Sequence, residues 1–181
     1  VNTNSGKFPG ETSTIFVVAP PGVRLRNARD EDLPFLRELY EHARSAELAG
    51  VPWPQDVRSR FLDDQFRLQH QHYVTHFSRA DFLLLERDDR LIGRFYIDAS
   101  GDDLHVIDIS LLAEERGRGI GTLLLQSLMS HASRAGRGVF LNVNRFNPDA
   151  ERLYRRLGFA HLTPEGVDAG SDMYLPMRWI S

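Results

Sequence analysis

Three glycines and two arginines alternate in Arg116-Gly117-Arg118-Gly119-Ile120-Gly121, directly after the apolar run Val106 to Leu112 and directly before the amphipathic run Thr122 to Ala135. This spacing puts the cluster where a strand turns into a helix. Inside a helix each glycine costs about 0.5–1 kcal/mol relative to alanine, so three in one turn ask for a reason other than helix stability. An anion supplies one. Without Cβ atoms, backbone N–H groups can approach a phosphate closely, and the unpaired amides and positive dipole end of the helix attract it. Arg116 and Arg118 add fixed positive charge. A tight strand-to-helix turn would also use glycines, but it does not account for the interleaved arginines.

Other phosphate motifs fail on spacing. A dinucleotide-binding Gly-x-Gly-x-x-Gly needs glycine at 122, where Thr122 stands, and no Gly-Lys-Ser/Thr of a P-loop is present. A second group with chemical potential is Tyr154. Asn147 and Pro148 suit the cap and first position of a helix, Asp149 and Glu151 suit its positive end, and Gly158 suits its stop. On that helix Ala150, Leu153, Tyr154 and Leu157 share one face, so Tyr154 points into the protein. Its hydroxyl then serves either as a core group bonded to backbone or as a proton donor.

The elements that position these groups follow from periodicity. Val23 to Arg26 alternates as a strand, and a helix from Asp30 to about Leu48 carries Leu33, Leu36, Leu39, Tyr40 and Ala43 on one face. After the break at Gly50-Val51-Pro52-Trp53-Pro54 a second helix runs from about Gln55 to Phe77. Strands are expected at Asp81 to Glu86, Leu91 to Asp98 and Leu104 to Leu112, joined by turns at Asp88-Asp89-Arg90 and Ser100 to Asp103. A helix from about Gly117 to Ala135, a strand at Val139 to Val143, a helix at Pro148 to Leu157 and strands near Phe159–Leu162 and Asp172–Trp179 complete the chain. The order β-α-α-β-β-β-α-β-α-β-β implies an α/β (α+β) domain, a mixed, mostly antiparallel sheet with helices on both faces.

With 181 residues and 41% hydrophobic content, one core is expected, with residues 23–181 as a single domain. Residues 1–22, rich in Ser, Thr, Asn, Gly and Pro, read as a flexible tail, with a short strand at 14–18 as the competing reading. A net charge of −3 gives no general attraction to nucleic acid, and no apolar run approaches the ~20 residues of a membrane span. No secretory signal is evident, so a cytoplasmic protein, monomer or homodimer, is expected. The lack of cysteine excludes disulfides, thiolate metal sites and a cysteine nucleophile. His72 and His76 stand at i,i+4, but no third ligand is evident and a solvated helix face accounts for them, so no metal is expected.

Two segments taken together carry a resemblance. Val106 to Gly121, ending Arg116-Gly117-Arg118-Gly119-Ile120-Gly121, resembles the acetyl-CoA-binding segment of the GNAT superfamily of N-acetyltransferases, and Asn147 to Phe159 resembles the family's next motif. The resemblance implies a GNAT-like fold and acetyl-CoA as cosubstrate. By its pattern the backbone of Ile109, Ser110 and Leu111 pairs with the pantetheine arm, and Gly117, Arg118, Gly119, Ile120, Gly121 and Thr122, with Arg116 beside them, hold the pyrophosphate. Asn147 matches a cofactor-contacting position, and Tyr154 the general acid that protonates the CoA thiolate. The implied reaction is direct attack by a primary amine, of a small molecule or a peptide, on the thioester.

Such an amine arrives protonated, so a base or a water chain is also required. Some relatives carry a glutamate at the position of Asn142, which cannot serve, and others carry one near His105. His105, with an ordinary pKa of ~6.5, is the candidate base; its alternative is a surface residue at a strand end. In a regular strand Asp108 faces the other way. Trp53, Phe61, Phe66 and Tyr73 lie where the family builds its acceptor pocket, and Asp56, Asp63 and Asp64 either draw an amine or form a charged helix face. Besides an N-acetyltransferase, the pattern admits a catalytically silent acyl-CoA-binding module.

Overall fold

A computed structural model describes residues 7–9, 17–162 and 173–181. The alternating strands pair into one sheet of β1 (Arg24–Asn27), β2 (Asp81–Arg87), β3 (Arg90–Asp98), β4 (Leu104–Leu111), β5 (Val139–Asn144), β6 (Ala160–His161) and β7 (Tyr174–Trp179). Their order is β1-β2-β3-β4-β5-β7-β6, and β4 with β5 is the parallel pair in an otherwise antiparallel ladder. The expected element order is reproduced. The alternative strand at 14–18 lies partly outside the described residues, and residues 17 and 18 are not in a strand.

Period-two alternation divides the core between the two faces of the sheet. Leu83, Leu85, Phe95 and Ile97 pack with Leu124, Leu125 and Leu128 of α3 (Ile120–Arg134) and with Tyr154 of α4 (Pro148–Arg156). Phe82, Leu84 and Tyr96 point to the opposite face, against α1 (Leu33–Leu48) and α2 (Gln55–His76). From the amino-terminal segment, Phe8 sets its ring against Phe82 and His70, and Val17 packs on the α3-side core. Arg26 donates to both Asp32 and Glu86, which ties β1 to β2 and to the entry of α1.

Two boundaries and one strand register differ from the sequence reading. The first turn at Asp30–Asp32 is a 3-10 turn, and α1 proper starts at Leu33. The glycine cluster mostly precedes α3: Gly117 and Gly119 have φ of +72° and +79°, and the helix begins at Ile120. They are therefore turn residues in the left-handed region, where glycine is favoured, rather than helical residues bearing a helix penalty.

The third difference is in β4. Its pairing with β3 slips between Tyr96 and Ile97, with Tyr96 opposite Asp108 and Ile97 opposite Val106. One extra residue, Ile107, is thereby inserted, and it packs on the α1–α2 side while Val106 and Ile109 pack on the α3 side. Beyond the bulge the strand's phase is inverted. A little further on, Gly93 of β3 lies opposite Leu111, where an added Cβ would stand 2.4 Å from the Ser110 carbonyl oxygen and 2.7 Å from a Leu111 methyl. A Gly93→Ala variant should lose about 1–3 kcal/mol of stability because backbone must shift, measured by denaturant unfolding.

Candidate functional site

β4 and β5 are hydrogen-bonded partners only over Leu104–Val106 and Val139–Leu141, although both strands continue. From Ile107 to Leu111 the β5-facing edge of β4 has no strand partner among the described residues. The sheet therefore opens into a split whose lip on one side is Ile109 to Leu111. This unpaired strand edge can accept an extended, amide-bearing ligand as a further strand would be accepted.

The glycine turn stands at the end of that lip. Its N-cap is Gly119, which offers no side chain, and the first helical bond runs from Leu123 to the Gly119 carbonyl, so the amides of Ile120, Gly121 and Thr122 have no intrahelical acceptor. Around the positions where Gly117 and Gly119 would carry Cβ there is open space. A Cβ on Gly121 would meet Ile109 at 3.7 Å and Leu153 at 3.8 Å, ordinary contacts, so the fold itself does not demand glycine there. A bare backbone there leaves room for a ligand to approach closely. This is a cradle fit for a pyrophosphate.

The two arginines are placed differently from what the sequence suggested. Arg116 donates through Nε to the Leu111 carbonyl, 3.0 Å away, and so fastens the turn to the strand end. Arg118 is half exposed and lies 3.7 Å from Glu115, whose carboxylate is taken more closely by Arg87. Asn147 caps α4, its Oδ1 accepting from the Ala150 amide at 3.1 Å, which leaves its NH2 as the group it can offer a ligand.

Tyr154 comes from α4 into the α3-side core that the side chains of β4 and β5 also line. It is buried, its ring 5.9 Å from that of Phe159, and no hydrogen bond ties its hydroxyl to any described residue. Burial, and then the negative charge of Asp108, push its pKa up to about 12. The phenol thus stays protonated at neutral pH.

Asp108 is the residue that sequence reasoning misplaced. The bulge at Ile107 turns it to the α2 face, the face that His105 also takes, where its Oδ2 accepts from Arg94 at 2.7 Å and from the Tyr73 hydroxyl at 3.0 Å. Its Oδ1 accepts from Ser110 Oγ at 2.7 Å. Ser110 therefore turns its side chain to this network, while its backbone lies on the lip. The Arg94–Asp108 pair is buried, with side chains 5% and 12% exposed, and Gln69 accepts a further bond from Arg94 at 3.0 Å. Burial and the neighbouring Asp108 charge push the Tyr73 pKa well above that of a free phenol. Arg94, Asp108 and Gln69 were absent from the candidate residues.

His105 lies at the closed end of the split, its ring 5.5 Å from Phe77 and 5.0 Å from Phe140. It is part-buried, and desolvation lowers its pKa below the usual 6.5. Of the four early aromatics only Tyr73 joins the polar network; Phe61 packs in a satellite cluster with Tyr40, Leu48 and Leu62, Phe66 bridges that cluster and the α1–α2 core, and Trp53 meets Phe61 edge-on. Asp63 and Asp64 are exposed and paired with Arg37 and Arg67, and Asp56 lies 4.0 Å from Arg60, which makes them a charged surface. His72 and His76 are exposed with ring centroids 4.1 Å apart, and among the described residues no group of three His, Cys, Asp or Glu could hold a metal ion. No described helix is long and apolar enough to cross a membrane.

The same architecture recurs in known proteins. Residues 34–159 match the model of the acetyltransferase (GNAT) family. The chain is 32% identical over 155 residues to mycothiol acetyltransferase of Thermobispora bispora, covering 80% of this chain but only 48% of that protein. It is 26% identical over 164 residues to a putative [ribosomal protein bS18]-alanine N-acetyltransferase of Bacillus subtilis, covering 87% and 94% of the two chains. Among solved structures, the PaiA N-acetyltransferase of Thermoplasma acidophilum in complex with coenzyme A superposes with a TM-score of 0.64 at 19% identity, over 88% of this chain and 99% of that one. The uncapped glycine turn, the split between β4 and β5 and the family match over most of the sheet agree, and the chain belongs to the GNAT acetyltransferase family.

Proposed function

We propose that this protein transfers an acetyl group from acetyl-CoA to a primary amine by direct attack, within the split between β4 and β5. What supports this reading is the combination of three features: an unpaired strand edge at Ile109 to Leu111, a side-chain-free helix start at Gly119, and the protonated, unbonded phenol of Tyr154 in the adjoining core. The relatives include a mycothiol acetyltransferase and a putative [ribosomal protein bS18]-alanine N-acetyltransferase, and a small-molecule or peptide amine is the acceptor class we assign here.

Bound acetyl-CoA supplies an activated acyl group whose transfer needs alignment, oxyanion stabilisation and a proton for the departing sulfur. The backbone of Ile109, Ser110 and Leu111 holds the pantetheine arm, and an N–H near Leu111 serves as oxyanion donor. The amides of Gly117 to Thr122 hold the pyrophosphate, and Asn147 offers its NH2. Tyr154 delivers the proton, its raised pKa keeping it in the donor form across the physiological range.

His105 is assigned as the proton acceptor for the incoming ammonium, acting through water along the α2 face. Desolvation keeps its imidazole neutral at pH 7, which is the form that can accept. Because burial lowers its pKa below the usual imidazole value, kcat/KM should hold at neutral pH and fall only as pH drops into the range below 6.5. A His105→Asn variant should lose this acidic limb; an unaltered pH profile would take the role from His105.

Two further variants separate binding from chemistry. Tyr154→Phe should lower kcat by about a hundredfold with little change in acetyl-CoA affinity, seen in free-CoA release over a panel of amines. Gly119→Glu should abolish acetyl-CoA binding in calorimetry, since it places a side chain on a left-handed residue and an anion in the cradle.

A further inference from the structure

His72 and His76 have chemical potential that acyl transfer leaves unused. They stand one turn apart on α2, the spacing at which a helix brings two side chains onto the same face. Spacing alone fits a solvated surface. The arrangement of the rings adds features that a solvated surface does not require.

The two imidazoles face one another, with ring centroids 4.1 Å apart and planes inclined by 30°. An ion bound at about 2.0–2.1 Å by two nitrogens needs those nitrogens roughly 3–4 Å apart, which rings at this separation reach by rotation about χ2. His76 Nδ1 also lies 3.0 Å from the His72 carbonyl oxygen. A carbonyl oxygen only accepts, so Nδ1 carries the proton and Nε2 keeps its lone pair. The outer hydrogen bond that orients a metal-ligating histidine and fixes its tautomer is therefore already made. Both residues are exposed, and among the described residues no hydrogen bond occupies either ring nitrogen of His72. No third His, Cys, Asp or Glu among the described residues completes a site, so any further coordination positions belong to water.

We infer that His72 and His76 form a two-histidine chelate for a divalent transition ion of the nitrogen-preferring kind, Cu2+, Ni2+ or Zn2+, with water completing the coordination sphere. Hard cations such as Mg2+ and Ca2+, which take oxygen ligands, are not held. Among the ions that bind, Cu2+ is held most tightly. A single exposed imidazole holds such an ion weakly, but once one ring is bound the helix presents the other at high effective concentration. The ion also braces the last turn of α2. That turn delivers Phe77, whose ring lies 6.1 Å from that of His72 and 5.5 Å from that of His105. The chelate is thus one ring away from the residue at the closed end of the split, yet it does not depend on the acyl-transfer reading.

Calorimetric titration of the full chain with NiCl2 in a non-chelating buffer tests this, with MgCl2 as the hard-cation counterpart. The wild-type protein should bind Ni2+ and give no heat with Mg2+. His72→Ala and His76→Ala should each weaken Ni2+ binding by about tenfold or more, whereas His42→Ala, at another exposed helix position, should leave it unchanged. Excess Ni2+ should raise the Tm of the wild type and not that of His76→Ala. In amide spectra of the wild type, substoichiometric CuCl2 should broaden residues 72–77 first. Absence of Ni2+ binding, equal binding of Mg2+, wild-type affinity in either His72→Ala or His76→Ala, or broadening centred on another histidine would overturn the proposal. Circular dichroism checks that both variants fold; if one does not, the broadening map of the wild type still decides.

Discussion

Everything at this site depends on how briefly β4 and β5 stay together. Their parallel ladder covers Leu104–Val106 and Val139–Leu141, after which each strand runs on without the other. A parallel pair requires a crossover, and α3 is that crossover. The strand end, the glycine turn and the helix start are consequently consecutive in sequence, and the unpaired strand edge and the unpaired amides face one opening. Continued pairing of β4 and β5 up to Leu111 would have closed that opening.

The bulge at Ile107 is the second determinant, because it assigns the side chains to the two faces. It lets one strand contribute Val106 and Ile109 to the α3-side core while both His105 and Asp108 turn toward α2. A strand without it would send Asp108 into the apolar layer beneath α3 and leave Arg94 buried with no anion. Gly93 allows β3 to follow β4 closely just past the bulge, where the Ser110 carbonyl occupies the space of the missing Cβ. The backbone of the lip is therefore braced from behind by β3.

Much of this was legible in the chain. Two periodicities located the strands and helices, and the pairing of the glycine cluster with Asn147 and Tyr154 pointed to the family that the match over residues 34–159 shows. The failures have physical causes. Gly117 and Gly119 were counted as helical because propensity does not reveal a sign of φ, and the charge of Arg116 does not reveal that its Nε donates to the Leu111 carbonyl. Arg94 stood in a strand that was read only for its apolar face. Asp108 was misdirected by assuming a regular strand, yet the signal was present: from Leu104 to Leu111 polar and apolar residues alternate except at Val106-Ile107, where two apolar residues are adjacent and the phase slips. Adjacent apolar residues within an alternating strand are what a bulge between two buried faces writes into a sequence.

The bare start of α3 carries a thermodynamic consequence. A helix whose N-cap is glycine lacks a side-chain acceptor, a loss of roughly a few tenths of a kcal/mol, and here that helix is also the connection between the two central strands. An anion seated on those amides takes over the capping role, so the ligand completes secondary structure as well as filling a site. Occupancy and folding are then linked quantities: saturating the cradle raises the unfolding free energy by RT ln(1 + [L]/Kd), and the protein's resistance to heat becomes a readout of the coenzyme concentration around it.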